Sequence, residues 1–138
     1  MNFGTFDYLH DGHSYFLNES KKYGDFLITV IARDRTVHTV KDFHPKNSEK
    51  IRKKNLQKLK IANKVVFGYL KNKYKIIEKY QPDVICLGYD QIEFTKNLKK
   101  ILKDLHLNTK IVRIKSYHPD KFKSTYLRNH ENSTRKHK

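Results

Sequence analysis

Phe26-Leu27-Ile28-Thr29-Val30-Ile31-Ala32 is an apolar run broken by a single threonine and closed by Arg33-Asp34. So short a run, rich in β-branched residues and ended by charge, reads as a strand buried on both faces. Val65-Val66-Phe67, Val84-Ile85-Cys86-Leu87 and Ile111-Val112-Arg113-Ile114 have the same character. Longer polar segments with helical spacing lie around and between them, at 14–23, 48–62, 70–80 and 94–105. In the second of these, Ile51, Leu56, Leu59 and Ala62 are expected on one side, and Ser48 followed by Glu49 suits a helix start. Strands alternating with helices give an α/β fold, a parallel sheet with helices on both faces. Ligands of such sheets bind beyond the carboxyl ends of the strands. Loops are therefore expected at 4–13, 33–47, 88–93 and 115–123, and function is sought there. Only Met1, Asn2 and Phe3 precede the first loop, so the first strand is expected to be short or missing.

The chain has 138 residues, enough for one domain, expected over 1–127, followed by a basic tail at 128–138 that frays. Apolar residues make up 37% and aromatics 12%, which suffices for one core and argues against disorder. Thirty Lys+Arg against 14 Asp+Glu give a formal charge of +16 and point to partners carrying phosphate. One cysteine, Cys86, excludes a disulfide framework and a four-cysteine zinc site, and is expected to be a buried apolar group. Residues 1–13 hold no signal-type apolar run, and no stretch approaches the ~20 apolar residues of a membrane span. A cytoplasmic protein with no membrane partner is expected.

Gly4-Thr5-Phe6-Asp7-Tyr8-Leu9-His10-Asp11-Gly12-His13 occupies the first of these loops. Two histidines three apart stand where that loop turns into a helix, whose unpaired N–H groups make a natural phosphate site. Two imidazoles there can donate hydrogen bonds to phosphoryl oxygens, and Gly12 lets the backbone come close. The spacing alone suits surface or capping histidines equally. With no Cys or Glu partner nearby, it falls short of the three or four ligands of a zinc site.

As a whole, the string Gly4-Thr5-Phe6-Asp7 with His10-x-Gly12-His13 resembles the signature of the cytidylyltransferase-like HxGH nucleotidyltransferases, proteins of Rossmann-like topology. Gly24-Asp25, Ala32-Arg33-Asp34-x-Thr36-Val37, Leu87-Gly88-Tyr89-Asp90-Gln91 and Val112-Arg113-Ile114-Lys115-x-Tyr117 resemble the archaeal-type FAD synthase branch. Glycerol-3-phosphate cytidylyltransferases share the front signature but carry a Gly-Asp-Asp type motif in place of Gly88-Tyr89-Asp90-Gln91. The resemblance implies transfer of NMP from ATP or CTP to a phosphorylated small molecule, with release of pyrophosphate. FMN is the preferred acceptor, and CTP transfer to glycerol 3-phosphate or a related phospho-alcohol is the alternative. It implies catalytic roles for His10 and His13 on the pentacoordinate α-phosphate. Thr5, Phe6, Asp11 and Gly12 would line the nucleotide site beside them, and Lys41 and Arg52 would face phosphates. Asp90 would contact ribose or base and Tyr117 the base, while Ser124 and Thr125 would contact the β- and γ-phosphates at the start of the last helix. The resemblance further implies Mg²⁺ held mainly by the phosphates, with no protein metal site, and a homodimer.

The net charge also motivates a different class, a basic nucleic-acid-binding protein. Against it, the basic residues are spread over every predicted helix, and no nucleic-acid motif is present.

Overall fold

The computed structural model describes residues 1–41, 44–72 and 74–117, the side chains of 39–41 and 92–95 excepted. The four apolar runs form β2 (Ile28–Ile31), β3 (Lys64–Phe67), β4 (Val84–Leu87) and β5 (Lys110–Arg113). The first strand is present, though short: β1 spans Asn2–Gly4. The helices are α1 (Asp11–Lys21), α2 (Asp34–Lys41), α3 (Glu49–Lys58), α4 (Lys75–Tyr80) and α5 (Ile92–Asp104).

All pairings are parallel and the strand order is β3-β2-β1-β4-β5. The sheet is therefore Rossmann-like, and the three-residue strand is its centre. β1 pairs with β2 through Asn2↔Thr29, Phe3↔Val30 and Gly4↔Ile31, and with β4 through Asn2↔Cys86 alone. The chain order reverses between β1 and β4, so this is the switch point where such sheets open a ligand crevice.

Period-2 alternation along the strands sends side chains to two cores. On one face Met1, Phe3, Val30, Ile85 and Leu87 pack against Ile76 and Ile77 of α4 and Leu98 and Leu102 of α5. On the other, Ile31 and Val65 pack with Leu27 and Phe6 against Leu17 of α1 and Leu56 of α3. Asn2 also faces α1: its amide donates to Ser20 Oγ at 3.1 Å, and that hydroxyl donates to Phe16 O at 2.8 Å. The outer strands β3 and β5 begin with exposed Lys64 and Lys110, charges that discourage edge-to-edge association.

Three sequence expectations change. The segment 33–47 holds a helix, α2, where only loop was expected. Its Val37 is buried, and its first residue is capped across the chain: Asp34 N donates to Glu49 Oε1 at 2.9 Å and Glu49 N to Asp34 Oδ2 at 3.1 Å. Ile51 is 49% exposed and does not share a face with buried Leu56. Arg52 does, because residues four apart lie on one side of a helix and residues five apart do not. Phe26, 60% exposed, lies outside the strand it was read into. Among the described residues, no helix is long and apolar enough to cross a membrane.

Candidate active site

His10 is the N-cap of α1. Its backbone is extended (φ −152°, ψ −179°), and its Nδ1 accepts a hydrogen bond from Gly12 N at 3.0 Å. An Nδ1 that accepts is unprotonated, so the neutral ring carries its hydrogen on Nε2. Burial holds the pKa down, at about 4 against an ordinary 6.5, with the Asp11 carboxylate pulling the other way. His10 is thus a neutral imidazole near pH 7, with an Nε2–H donor at a helix start. The His13 ring, one turn on, stacks on it with centroids 4.0 Å apart and planes 25° from parallel. Both belong to the helix terminus whose N–H groups carry partial positive charge.

Phe6 supports His13 from below, with ring centroids 5.3 Å apart. Its φ of 55° lies in the left-handed region, uncommon for an aromatic residue and a mark of strain held by its surroundings. Gly4 makes room for this turn, since a Cβ there would meet Phe6 Cε2 at 2.7 Å.

The strained turn is bolted to α3. Arg52, expected to face a triphosphate, is instead wholly buried. Its Nη1 donates to Thr5 O at 2.8 Å, its Nε to Asn47 O at 3.1 Å, and its Nη2 to Asp34 Oδ1 at 2.6 Å. Buried Asp7 completes the fastening: its carboxylate accepts from Lys46 N at 2.8 Å and Asn47 N at 2.9 Å, and its carbonyl accepts from Asn47 Nδ2 at 2.8 Å. Arg33 Nε donates to Glu49 Oε2 at 2.9 Å beside this network. Buried polar groups require such partners, and here the partners fix the loop that carries the histidines. Asp7 belongs to the signature string, but its contacts, about 40 residues away, leave no local signal of this fastening role.

Across the crevice, β4 exits through Gly88, Tyr89 and Asp90. Asp90 is exposed, and its carboxylate lies close to Gly88, where a Cβ would be 3.4 Å from Oδ1. Arg113 Nη1, from the end of β5, donates to Gly88 O at 2.7 Å. Tyr117, 37% exposed, stacks on Tyr15 of α1 at 5.1 Å, which draws the residues after β5 toward the histidine helix. Cys86 is buried and burial pushes its thiol pKa up, as suits an inert core group. Asp11 and Gly12 lie in the first turn of α1, and Lys41 ends α2 with its side chain outside the described residues, as are Ser124, Thr125 and the tail 128–138. A concavity of about 630 Å³ lined by Lys99, Lys103, His106 and Thr109 precedes β5, at the sheet edge opposite the histidines.

The parallel sheet reverses its strand order beside the paired imidazoles at the start of α1, and the chain belongs to the cytidylyltransferase-like family. The family pattern matches residues 1–130. The chain is 40% identical to the FAD synthase of Aciduliprofundum boonei over 117 residues, 85% of this chain and 78% of that one. It is 38% identical to the FAD synthase of Picrophilus torridus over 120 residues, 85% of this chain and 84% of that one. A crystal structure from Thermoplasma volcanium GSS1, described as a lipopolysaccharide core biosynthesis protein, superposes with a TM-score of 0.80 at 38% identity, covering 85% of this chain and 95% of that one.

Proposed function

We propose that this chain is an FMN adenylyltransferase that makes FAD and diphosphate from FMN and ATP. The observation that carries the chemistry is the stacked His10–His13 pair at the start of α1, one ring a neutral donor. The acceptor follows from the relatives that bear the name FAD synthase and from Leu87-Gly88-Tyr89-Asp90-Gln91.

In this reading a phosphate oxygen of FMN attacks the α-phosphorus of ATP in line. The new P–O bond forms as the bond to the bridging oxygen of the β-phosphate breaks, and pyrophosphate leaves. Negative charge grows on the non-bridging α-oxygens, which His10 Nε2–H, His13 and the N–H groups of α1 would stabilise. Donors already in place for charge that develops in the transition state are the main source of such rate enhancement. Thr5 and Phe6 shape the turn beneath the nucleotide, and Asp90 and Tyr117 take its ribose and base. Lys41, Ser124 and Thr125 complete the phosphate contacts.

Mg²⁺ bound to the triphosphate neutralises part of its charge. No cluster of three metal-ligating side chains exists among the described residues. Exposed Asp11 and Asp90, one on each side of the crevice, suit an ion held chiefly by phosphate oxygens.

Pyrophosphate release with ATP or CTP as donor and FMN, glycerol 3-phosphate or phosphocholine as acceptor tests the assignment. FMN with ATP is expected to turn over. Turnover with glycerol 3-phosphate and CTP alone selects the cytidylyltransferase reading.

A further inference from the structure

Bonds in a parallel ladder repeat every two residues along each strand. Between β1 and β4, Cys86 N donates to Met1 O at 2.9 Å. Two residues on, the next bond of that series would join Gly88 N to Phe3 O. The Gln91 side chain has taken its place: Gly88 N donates to Gln91 Oε1 at 2.7 Å, and Gln91 Nε2 donates to Phe3 O at 2.8 Å. A side-chain amide thus stands in for a single backbone bond and interposes its own width between the strands. The other ladders continue past their strands, with Ala32 N to Gly4 O at 3.0 Å, Gly68 N to Ile31 O at 2.9 Å and Ile114 N to Leu87 O at 2.8 Å. Among the described residues only the β1–β4 ladder is split, and it is split at the switch point.

We propose that Gln91 is a positioning residue that wedges β1 from β4 and sets base preference. The phosphate-handling residues His10 and His13 follow β1, whereas Asp90 and Tyr117, assigned to ribose and base, follow β4 and β5. The wedge fixes the distance between these halves, and a purine reaches further from its ribose than a pyrimidine does. This inference rests on the nucleotidyl-transfer reading above.

The amide is required as both donor and acceptor. Gln91→Glu keeps an acceptor for Gly88 N–H but turns carboxylate lone pairs on Phe3 O. Gln91→Met keeps the length and makes neither bond. Calorimetric titration of ATP and of CTP into the full chain and both variants is the test, with urea unfolding as the check on fold. Both variants are expected to fold and the ATP-to-CTP affinity ratio to move by about fivefold, the size of one net hydrogen bond. Loss of stability alone would weaken both nucleotides alike and leave the ratio fixed. A wild-type ratio in the folded variants overturns the wedge and leaves the enzyme reading intact. Where Gln91→Met does not fold, Gln91→Glu carries the same test; collapse of both counts against a residue that only tunes spacing. A wild-type chain that binds neither nucleotide overturns both readings.

Discussion

At His10 one ring serves as helix cap, neutral donor and stacking partner, and the depressed pKa makes its protonation visible in stability. The folded state resists a proton that the unfolded state accepts near pH 6.5, so stability falls as pH drops from about 6.5 to about 4 and levels off below. The urea midpoint of the wild type is expected to drop more between pH 7 and pH 4.5 than that of His10→Asn, which keeps a capping oxygen and loses the titration. Equal drops in both proteins would assign the loss to other groups. His13 is expected to bear on rate more than on stability. Its replacement by Ala is expected to lower kcat by about 10²–10³, with a smaller change in nucleotide affinity. His38→Ala, on the exposed side of α2, should leave kcat within about twofold. Loss of binding with kcat intact would mean that His13 holds only the ground-state phosphate. Thr29 faces the same core as Asn2, and its buried hydroxyl has no hydrogen-bond partner among the described residues. Thr29→Val keeps the shape and removes that unsatisfied group, so a gain of about 1 kcal/mol is expected by urea unfolding. A loss would show that the hydroxyl is satisfied in solution.

Among the elements, α3 bears on the site through Arg52. Truncating this buried Arg removes its hydrogen bonds to Thr5 O, Asn47 O and Asp34 Oδ1, and Arg52→Ala is expected to cost about 3 kcal/mol of stability. Arg52→Lys should recover only part, because a single ammonium cannot reproduce the fork. Unchanged stability with weakened ATP binding would return Arg52 to the phosphate-facing role the sequence suggested. The strands were legible because buried parallel strands read as continuous apolar runs, and Val84–Leu87 matched to the residue. Helix α2 was not. Thr36, Val37, Thr39 and Val40 are β-branched residues of low helix propensity, and the reciprocal Asp34–Glu49 caps that fix its start come from 15 residues away. The histidine pair was legible for the opposite reason, since its spacing and the glycine between are local. Asp7, Arg52 and Gln91 act on partners about 40, 47 and 88 residues distant, and no window of sequence displays that.

Over the whole molecule, a sheet with helices on both faces leaves its carboxyl edge as the place where the β1 and β4 loops meet, and the chain as a whole carries a formal charge of +16. The field of such a charge raises the local concentration of anionic substrates and also gives salt-sensitive, sequence-independent attraction to polyanions. Raising salt from about 50 to 200 mM should abolish retention of a DNA duplex while ATP affinity changes by less than about tenfold. Duplex binding that survives the higher salt would favour a nucleic-acid role. The central assignment is adenylyl transfer to FMN through His10 and His13. Chromatographic detection of FAD from FMN, ATP and Mg²⁺, run side by side with wild-type and His13→Ala protein, tests it most directly. FAD formation by the wild type, reduced at least about 10²-fold in His13→Ala, is the expected result; a folded wild-type chain that turns over glycerol 3-phosphate with CTP and forms no FAD would contradict it.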